Sequence, residues 1–288
     1  MDQMFNRSYS IAGLTFCLQS DVEVYDSKEF SEFKESGEPD YQICFEKAEF
    51  PVWIEAPPIA KEMGFNVYRV AEGFLYEYRD VNGNPYAFSH VDLYQNKVTV
   101  KYLQNALQHI SHARGAFFHI RWEELLLQKK RLILHACCVD TRYGGVLFSG
   151  ESGIGKSTQG RLWCEYENAE LINGDRPVIY EMKDEWYACG SPYAGSSKCH
   201  VNKKTKVAVI VLLSQAEKCS IKKVENQDAF KKIFSQLTIA AWNSRSIGSA
   251  CDLIELMIDK IPIYEMQCTP DKTAVDLLKK TIEEEVSR

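Results

Sequence analysis

Apolar and polar positions alternate strictly along Lys97–Tyr102 (KVTVKY), the pattern of a half-buried strand. The text before it is of the same kind. Residues 10–18, 41–45, 66–70 and 73–78 are short runs rich in β-branched and aromatic residues, each predicted to be a strand. Between 74–80 and 86–92 lies Val81-Asn82-Gly83-Asn84, whose Asn-Gly pair predicts a hairpin turn. The period then lengthens. Leu107, Ile110, Ala113, Phe117, Ile120 and Leu127 recur roughly every three to four residues, predicting one or two helices with a break near Gly115. From Leu132 the two periods take turns. Segments 132–139, 145–149, 170–173, 178–182, 207–213 and 262–266 read as strands, and 157–166, 229–241, 249–259 and 271–286 as helices. The pattern predicts an α/β protein, α+β overall: a β-rich N-terminal domain at 1–104, a connecting helical segment at 105–131 and an α/β domain at 132–288.

Composition narrows the function classes. With 288 residues, 45% hydrophobic and 12% aromatic, the chain has ample core material and is not disordered as a whole. A net charge of −6 provides no basic stripe for nucleic acid, so any phosphate site must be created locally. No run approaches the roughly twenty apolar residues of a membrane span, and the N-terminus lacks the order of a signal peptide. The ten cysteines include no C-x-x-C pair, which favours free thiols in a cytoplasmic protein.

The strongest chemical signal is Gly150-Glu151-Ser152-Gly153-Ile154-Gly155-Lys156-Ser157, a complete G-x-x-x-x-G-K-[ST] phosphate loop between a predicted strand and a predicted helix. By chance such a match arises in roughly one chain in a hundred of this length. Glycines let successive N–H groups point into one concavity, and the helix adds its positive end. Lys156 can reach the β- and γ-phosphates. Ser157 offers a hydroxyl to Mg²⁺, with Thr158 beside it. Such a site needs a carboxylate at the end of a later strand, and Asp175, in Asn173-Gly174-Asp175-Arg176, fits. His135 reads as either core or site. If 132–139 is one strand, alternation puts it on the face of Ile133 and Cys137. A small-residue loop, 190–198, leads into a basic cluster of Lys198, His200, Lys203, Lys204 and Lys206. That cluster reads as a solvated loop or as a site for an acidic or phosphorylated substrate.

The run LILHACCVDTRYGGVLFSGESGIGKSTQ resembles the kinase core of the HPr kinase/phosphorylase family and its shorter relatives, which share a nucleotide-binding core with ATP-dependent phosphoenolpyruvate carboxykinase. Gly150, Ser152, Gly153, Gly155, Lys156 and Ser157 match its loop, and His135 matches its strand histidine, which in that family lies near the phosphates. Gly190-Ser191-Pro192-Tyr193-Ala194-Gly195 matches a later segment of the relatives. The family has two acids where this chain has Gly174 and Asp175, so only the second is preserved. Thr158 stands where the HPr kinases proper usually have Glu. The resemblance runs from about Leu132 to the C-terminus and is nearest to kinases found with peptide-modification systems. It implies a P-loop kinase core preceded by a smaller β-rich domain, with ATP and Mg²⁺ as cofactors. Residues 150–158 would hold nucleotide, Ser157 and Asp175 the metal, and Lys156, Asp175 and His135 would be catalytic. The implied reaction moves the γ-phosphate to a hydroxyl, such as that of Ser, on a peptide, protein or small molecule. The alternative is a nucleotide-binding module without transferase activity, since the first acid is missing. The β-rich half could also recruit a peptide by strand pairing. Nucleic acid and membrane are not expected partners, and a homo-oligomer is compatible with the sequence.

Overall fold

The computed structural model describes residues 4–49, 54–71, 73–92 and 94–286. The chain divides into two compact units, Met1–Trp122 and Glu123–Arg288. Both mix strands and helices, each around its own sheet.

The first unit holds β1 (Phe5–Ile11), β2 (Leu14–Ser20), α1 (Lys28–Ser31), β3 (Tyr41–Lys47), β4 (Ala60–Glu62), β5 (Phe65–Val70), β6 (Gly73–Arg79), β7 (Pro85–Asp92), β8 (Lys97–Tyr102), α2 (Leu107–Ile110) and α3 (Ala113–His119). Its strand order is β1-β2-β3-β8-β7-β6-β5-β4. β2, β3 and β8 run parallel, and from β8 to β4 the sheet is an antiparallel meander. Alternate residues of β2 and β8 are buried, among them Leu14, Phe16, Leu18, Val98, Val100 and Tyr102. Phe117 of α3 lies with its ring centre 5.5 Å from Tyr9, 5.4 Å from Phe16 and 4.7 Å from Phe30. These rings make an aromatic core between helices and sheet, each pair worth about 0.5–1.5 kcal/mol beyond its buried area.

Two readings of this region need correction. Residues 10–18 are not one strand but the heart of a hairpin. Ala12 and Gly13 turn the chain with φ of 53° and 72°, and Ile11 pairs with Leu14. Both turn residues sit in the left-handed region that a two-residue type I′ turn requires. Ala-Gly is a weaker turn signal than the Asn82-Gly83 pair, whose turn is present with Asp80 accepting from the N–H groups of Asn82 and Asn84 at 2.9 Å. Residues 105–130 form α2, α3 and α4 (Trp122–Gln128), and Gly115 lies inside α3 rather than at a break. A Cβ there would come within 1.6 Å of the His109 carbonyl oxygen, so this glycine lets α3 pack directly on the end of α2.

His119 closes α3 and is almost wholly buried, its Nδ1 2.7 Å from the Gly115 carbonyl and its Nε2 3.2 Å from the Tyr86 hydroxyl. Burial pushes its pKa down to about 4. An unfolded histidine titrates near 6.5, so between pH 6.5 and 4 the unfolded chain binds the extra proton and folding weakens as pH falls. Stability should drop by about 2 kcal/mol between pH 7 and 5 through this group alone. Urea unfolding of the parent and of His119→Phe at both pH values checks it. The variant should lose that part of the slope, and equal slopes would mean His119 is not held neutral.

The second unit holds β9 (Arg131–Ile133), β10 (Ala136–Thr141), β11 (Gly144–Ser149), α5 (Lys156–Glu167), β12 (Glu170–Asn173), β13 (Val178–Met182), β14 (Glu185–Cys189), β15 (Lys204–Gln215), β16 (Ser220–Lys223), α6 (Asn226–Phe234), α7 (Ser244–Ile258), β17 (Ile263–Cys268) and α8 (Lys272–Val286). The sheet runs β12-β10-β11-β15-β14-β13-β9, with β17 also on β15 and β16 beyond it. β11, β15 and β17 are parallel. One face carries Cys137, Val146, Phe148, Val209 and Val211 against Trp163 of α5 and Leu278 of α8. The other carries Cys138, Leu147, Ile210 and Leu212 against Ile233 of α6 and Ile254 of α7. A sheet covered on both faces explains why 207–213 is apolar without alternation.

Residues 132–139 are two strands, not one. β9 pairs with β13 and β10 with β11 and β12, and the break falls at Leu134-His135. The freed backbone groups find partners outside the sheet. The N–H of His135 donates to the Gln236 carbonyl at 2.8 Å, that of Leu134 to Pro177 at 3.2 Å, and Thr238 donates to Ile133 at 3.0 Å. Those bonds also end α6 at Phe234, well short of the helix expected over 229–241. β14 and β16 were not anticipated.

All ten cysteines are free. No helix among the described residues is long and apolar enough to cross a membrane.

Candidate functional site

The phosphate-loop sequence leaves the sheet at the end of β11. Gly150, Gly153 and Gly155 have φ of 143°, 80° and 113°, a backbone that residues with side chains rarely adopt. Gly155 caps α5, and Lys156 is its first residue. The Lys156 side chain is buried, and its Nζ donates to the carbonyls of Gly150 at 2.8 Å and Glu151 at 2.9 Å. Burial lowers the pKa of its ammonium, and the Asp175 carboxylate opposes that shift. Ile154 packs into the core beneath the loop, Glu151, Ser152 and Ser157 are exposed, and Thr158 is half-buried.

Asp175 lies on a turn that two buried side chains hold. Asn173 is fully buried, and its Oδ1 accepts from the N–H groups of Asp175 at 2.9 Å and Arg176 at 2.7 Å. Its Nδ2 donates to the Ser191 carbonyl at 3.1 Å, while the buried Ser191 hydroxyl donates to the Arg176 carbonyl at 2.6 Å. Neither Asn173 nor Ser191 was singled out by sequence reasoning. Asn173 ends a strand and carries no chemistry of its own, and only the small-residue loop at 190–198 hinted at Ser191.

That loop lies directly against the turn. A Cβ on Gly195 would be 2.8 Å from Asp175 Cβ, and one on Gly174 would be 2.2 Å from Ser197 Oγ. The position where the resembled family has its first acid is therefore closed by Ser197. The Ser157 hydroxyl lies 3.5 Å from the Gly174 carbonyl, so the first turn of α5 abuts the residue before Asp175.

The strand break brings His135 to the same place. Its Nε2 is 3.3 Å from Asp175 Oδ1, and Arg176 Nε is 3.5 Å from Asp175 Oδ2. Arg176 also donates to the Thr238 hydroxyl. Burial lowers the pKa of His135, as do Lys156 and Arg176, against the opposing Asp175. Because His135 sits at a break, strand alternation does not govern which way it faces, and its partner is a carboxylate rather than the core. His135→Ala should therefore lower any turnover at least tenfold, about 1.4 kcal/mol of barrier, while folding free energy falls less. Kinetics and thermal melts on one preparation check this. Parental turnover in a destabilised protein would make His135 purely structural.

The oxygen donors fit Mg²⁺. Ser157 and Asp175 offer hard oxygen donors, and no group of three His, Cys, Asp or Glu among the described residues could hold a metal alone. Mg²⁺ characteristically takes one or two protein oxygens and completes its shell with water and phosphate. The basic cluster is not a free cationic patch. Lys203 pairs with Asp140 at 3.2 Å and with Glu170, Lys206 pairs with Glu185 at 2.6 Å, and Lys204 lies over the Tyr187 ring.

No family model matches the chain, and no curated protein matches it. Among solved structures it is similar to the Hpr(Ser) kinase/phosphatase from Coxiella burnetii, at 14% identity over 54% of this chain and 94% of that one, with a TM-score of 0.31.

Proposed function

We propose that the chain is an ATP-dependent phosphotransferase that moves the γ-phosphate to a hydroxyl of a peptide, protein or small molecule. The observation that carries this reading is the convergence of a buried lysine on a glycine-shaped loop, a helix N-terminus and a carboxylate–imidazole pair. Lys156 and the loop amides bind the β- and γ-phosphates, in a place where burial strengthens each charge interaction. Ser157 and Asp175 would hold Mg²⁺, which when bound neutralises charge on the phosphates. Asp175 accepts the proton of the attacking hydroxyl, and His135 orients its carboxylate by donating from Nε2. Asn173 and Ser191 fix the turn, so the carboxylate needs no reorganisation when the acceptor arrives.

The second reading, nucleotide binding without transfer, is favoured by Gly174, whose position leaves no room for a second acid. One experiment separates the two. The full chain is given ATP and Mg²⁺, with water standing in for the acceptor hydroxyl, and ADP release and ATP binding are measured together. Binding with ADP release that disappears in Asp175→Asn supports transfer. Binding without release supports the module. No binding rejects both.

A further inference from the structure

Arg176 follows the carboxylate of the site directly and has no part in the chemistry described so far. Its backbone is fixed. Its N–H donates to the buried Asn173 side chain at 2.7 Å, and its carbonyl accepts from the buried Ser191 hydroxyl at 2.6 Å. Its side chain is held more loosely. Nη1 donates to the Thr238 hydroxyl, and Thr238 is itself anchored, its N–H donating to the Ile133 carbonyl at 3.0 Å. Nε lies 3.5 Å from Asp175 Oδ2. That is longer than the roughly 2.7–2.9 Å of a strong N–H to carboxylate bond, and one nitrogen makes it rather than a bidentate fork. Nη2 has no partner among the described residues, and the side chain is 39% exposed. A guanidinium has five N–H donors. Here a neutral hydroxyl and one long ionic contact steer it, and the rest of the fork is left for a ligand.

Its place gives the ligand. Burial lowers the pKa of His135, and the charges of Lys156 and Arg176 lower it further, so both cations bear on one imidazole. Lys156 comes to it from the phosphate loop and Arg176 from the Thr238 side. The anionic demand there is large. A phosphoryl group in transfer spreads charge over three oxygens. Against it the site sets the Lys156 ammonium and the two oxygens that Ser157 and Asp175 offer to one Mg²⁺. Ser197 closes the place of a second carboxylate at Gly174, so no further metal ligand stands beside Asp175.

We propose that Arg176 is a catalytic residue whose guanidinium binds the oxygens of the phosphoryl group during transfer. The inference rests on the transferase reading above. The bond from the γ-phosphorus to the acceptor oxygen forms as the bond to the β,γ-bridging oxygen breaks. The acceptor proton passes to Asp175 and ADP leaves. Arg176 keeps its own protons throughout. Its contact to the phosphoryl oxygens strengthens as they leave the loop for the acceptor, so its loss lowers turnover and spares ATP binding.

The test uses the full chain with water as acceptor, which leaves no acceptor anion for Arg176 to anchor. ADP formation is measured for the parent, Arg176→Ala and Arg176→Lys. Calorimetry follows ATP, and ADP with and without aluminium fluoride, a mimic of the phosphoryl group in transfer. Arg176→Ala should lose at least a hundredfold in turnover, equally at pH 6 and pH 9, and keep its ATP affinity within threefold. It should also lose the tightening of ADP that aluminium fluoride gives the parent. Added guanidinium ion should restore at least tenfold of its turnover. Turnover within threefold of the parent, or retained aluminium fluoride tightening, would overturn the proposal and leave the transferase reading standing. A loss confined to low pH would overturn it too, because Arg176 would then act through the Asp175 carboxylate. If Arg176→Ala does not fold, Arg176→Lys decides. It keeps the charge without the planar fork, and should lose at least tenfold at unchanged ATP affinity. Parental turnover in that variant would overturn the proposal. A parent that binds ATP and forms no ADP would bring down the transferase reading and the inference with it.

Discussion

Asp175→Asn should lower Mg²⁺-dependent ADP formation about a thousandfold, roughly 4 kcal/mol of barrier, while the protein stays folded. The loss combines two roles. A positioned base contributes typically 10²–10⁴-fold, and the amide that replaces it is neither base nor good Mg²⁺ ligand. The fold survives because the turn is held from Asn173 and Ser191, not from the carboxylate, and Asn fills the same volume beside Gly195. The electrostatic consequence has a definite sign. Asp175 raises the pKa values of both Lys156 and His135, so its neutral replacement lets both fall further. His135 in the variant should titrate at lower pH than in the parent, which NMR of the imidazole protons checks. Turnover within tenfold of the parent would remove Asp175 from the site.

Lys156→Ala should weaken ATP binding by one to two orders of magnitude, about 1.5–3 kcal/mol for a charge-assisted contact in a buried setting. Stability should change little. The ammonium is already desolvated and is bonded to loop carbonyls, so its removal relieves a burial cost as it removes two hydrogen bonds. Calorimetry with ATP, alongside a thermal melt, checks both halves. Parental affinity would reject the phosphate-loop reading.

The parts of the fold that local pattern controls were legible in the sequence. The strand at 207–213 is apolar because both its faces are covered, and the Asn82-Gly83 turn follows from backbone preference. The glycine turn between β11 and α5 was legible because glycine spacing reflects a local backbone requirement. Other features depend on partners far along the chain. The break at His135 exists because residues 236–238 take over the backbone hydrogen bonds, roughly a hundred positions away. The Asn173–Ser191 clamp joins a strand end to a distant loop, and neither residue type announces it. A cavity of about 530 Å³ beside the phosphate loop has walls from α5 and from the ends of β15 and β17, two strands that only the sheet order makes neighbours.

That sheet order also fixes when, during synthesis, each part of the site can exist. β10 and β11 are neighbours in sequence and in space, so a growing chain can form that hairpin at once. β11 must then wait for β15, whose pairing residues begin at Val207, before its second edge is covered. β17 begins only at Ile263, and with it come Cys268, Thr269 and Pro270 on the far wall of the cavity. A nascent chain released before that point would carry the glycine loop and Lys156 on a half-built sheet with β15 exposed along one edge, a surface prone to pairing with other chains. The glycine loop would thus exist on the ribosome before the far wall of the cavity beside it.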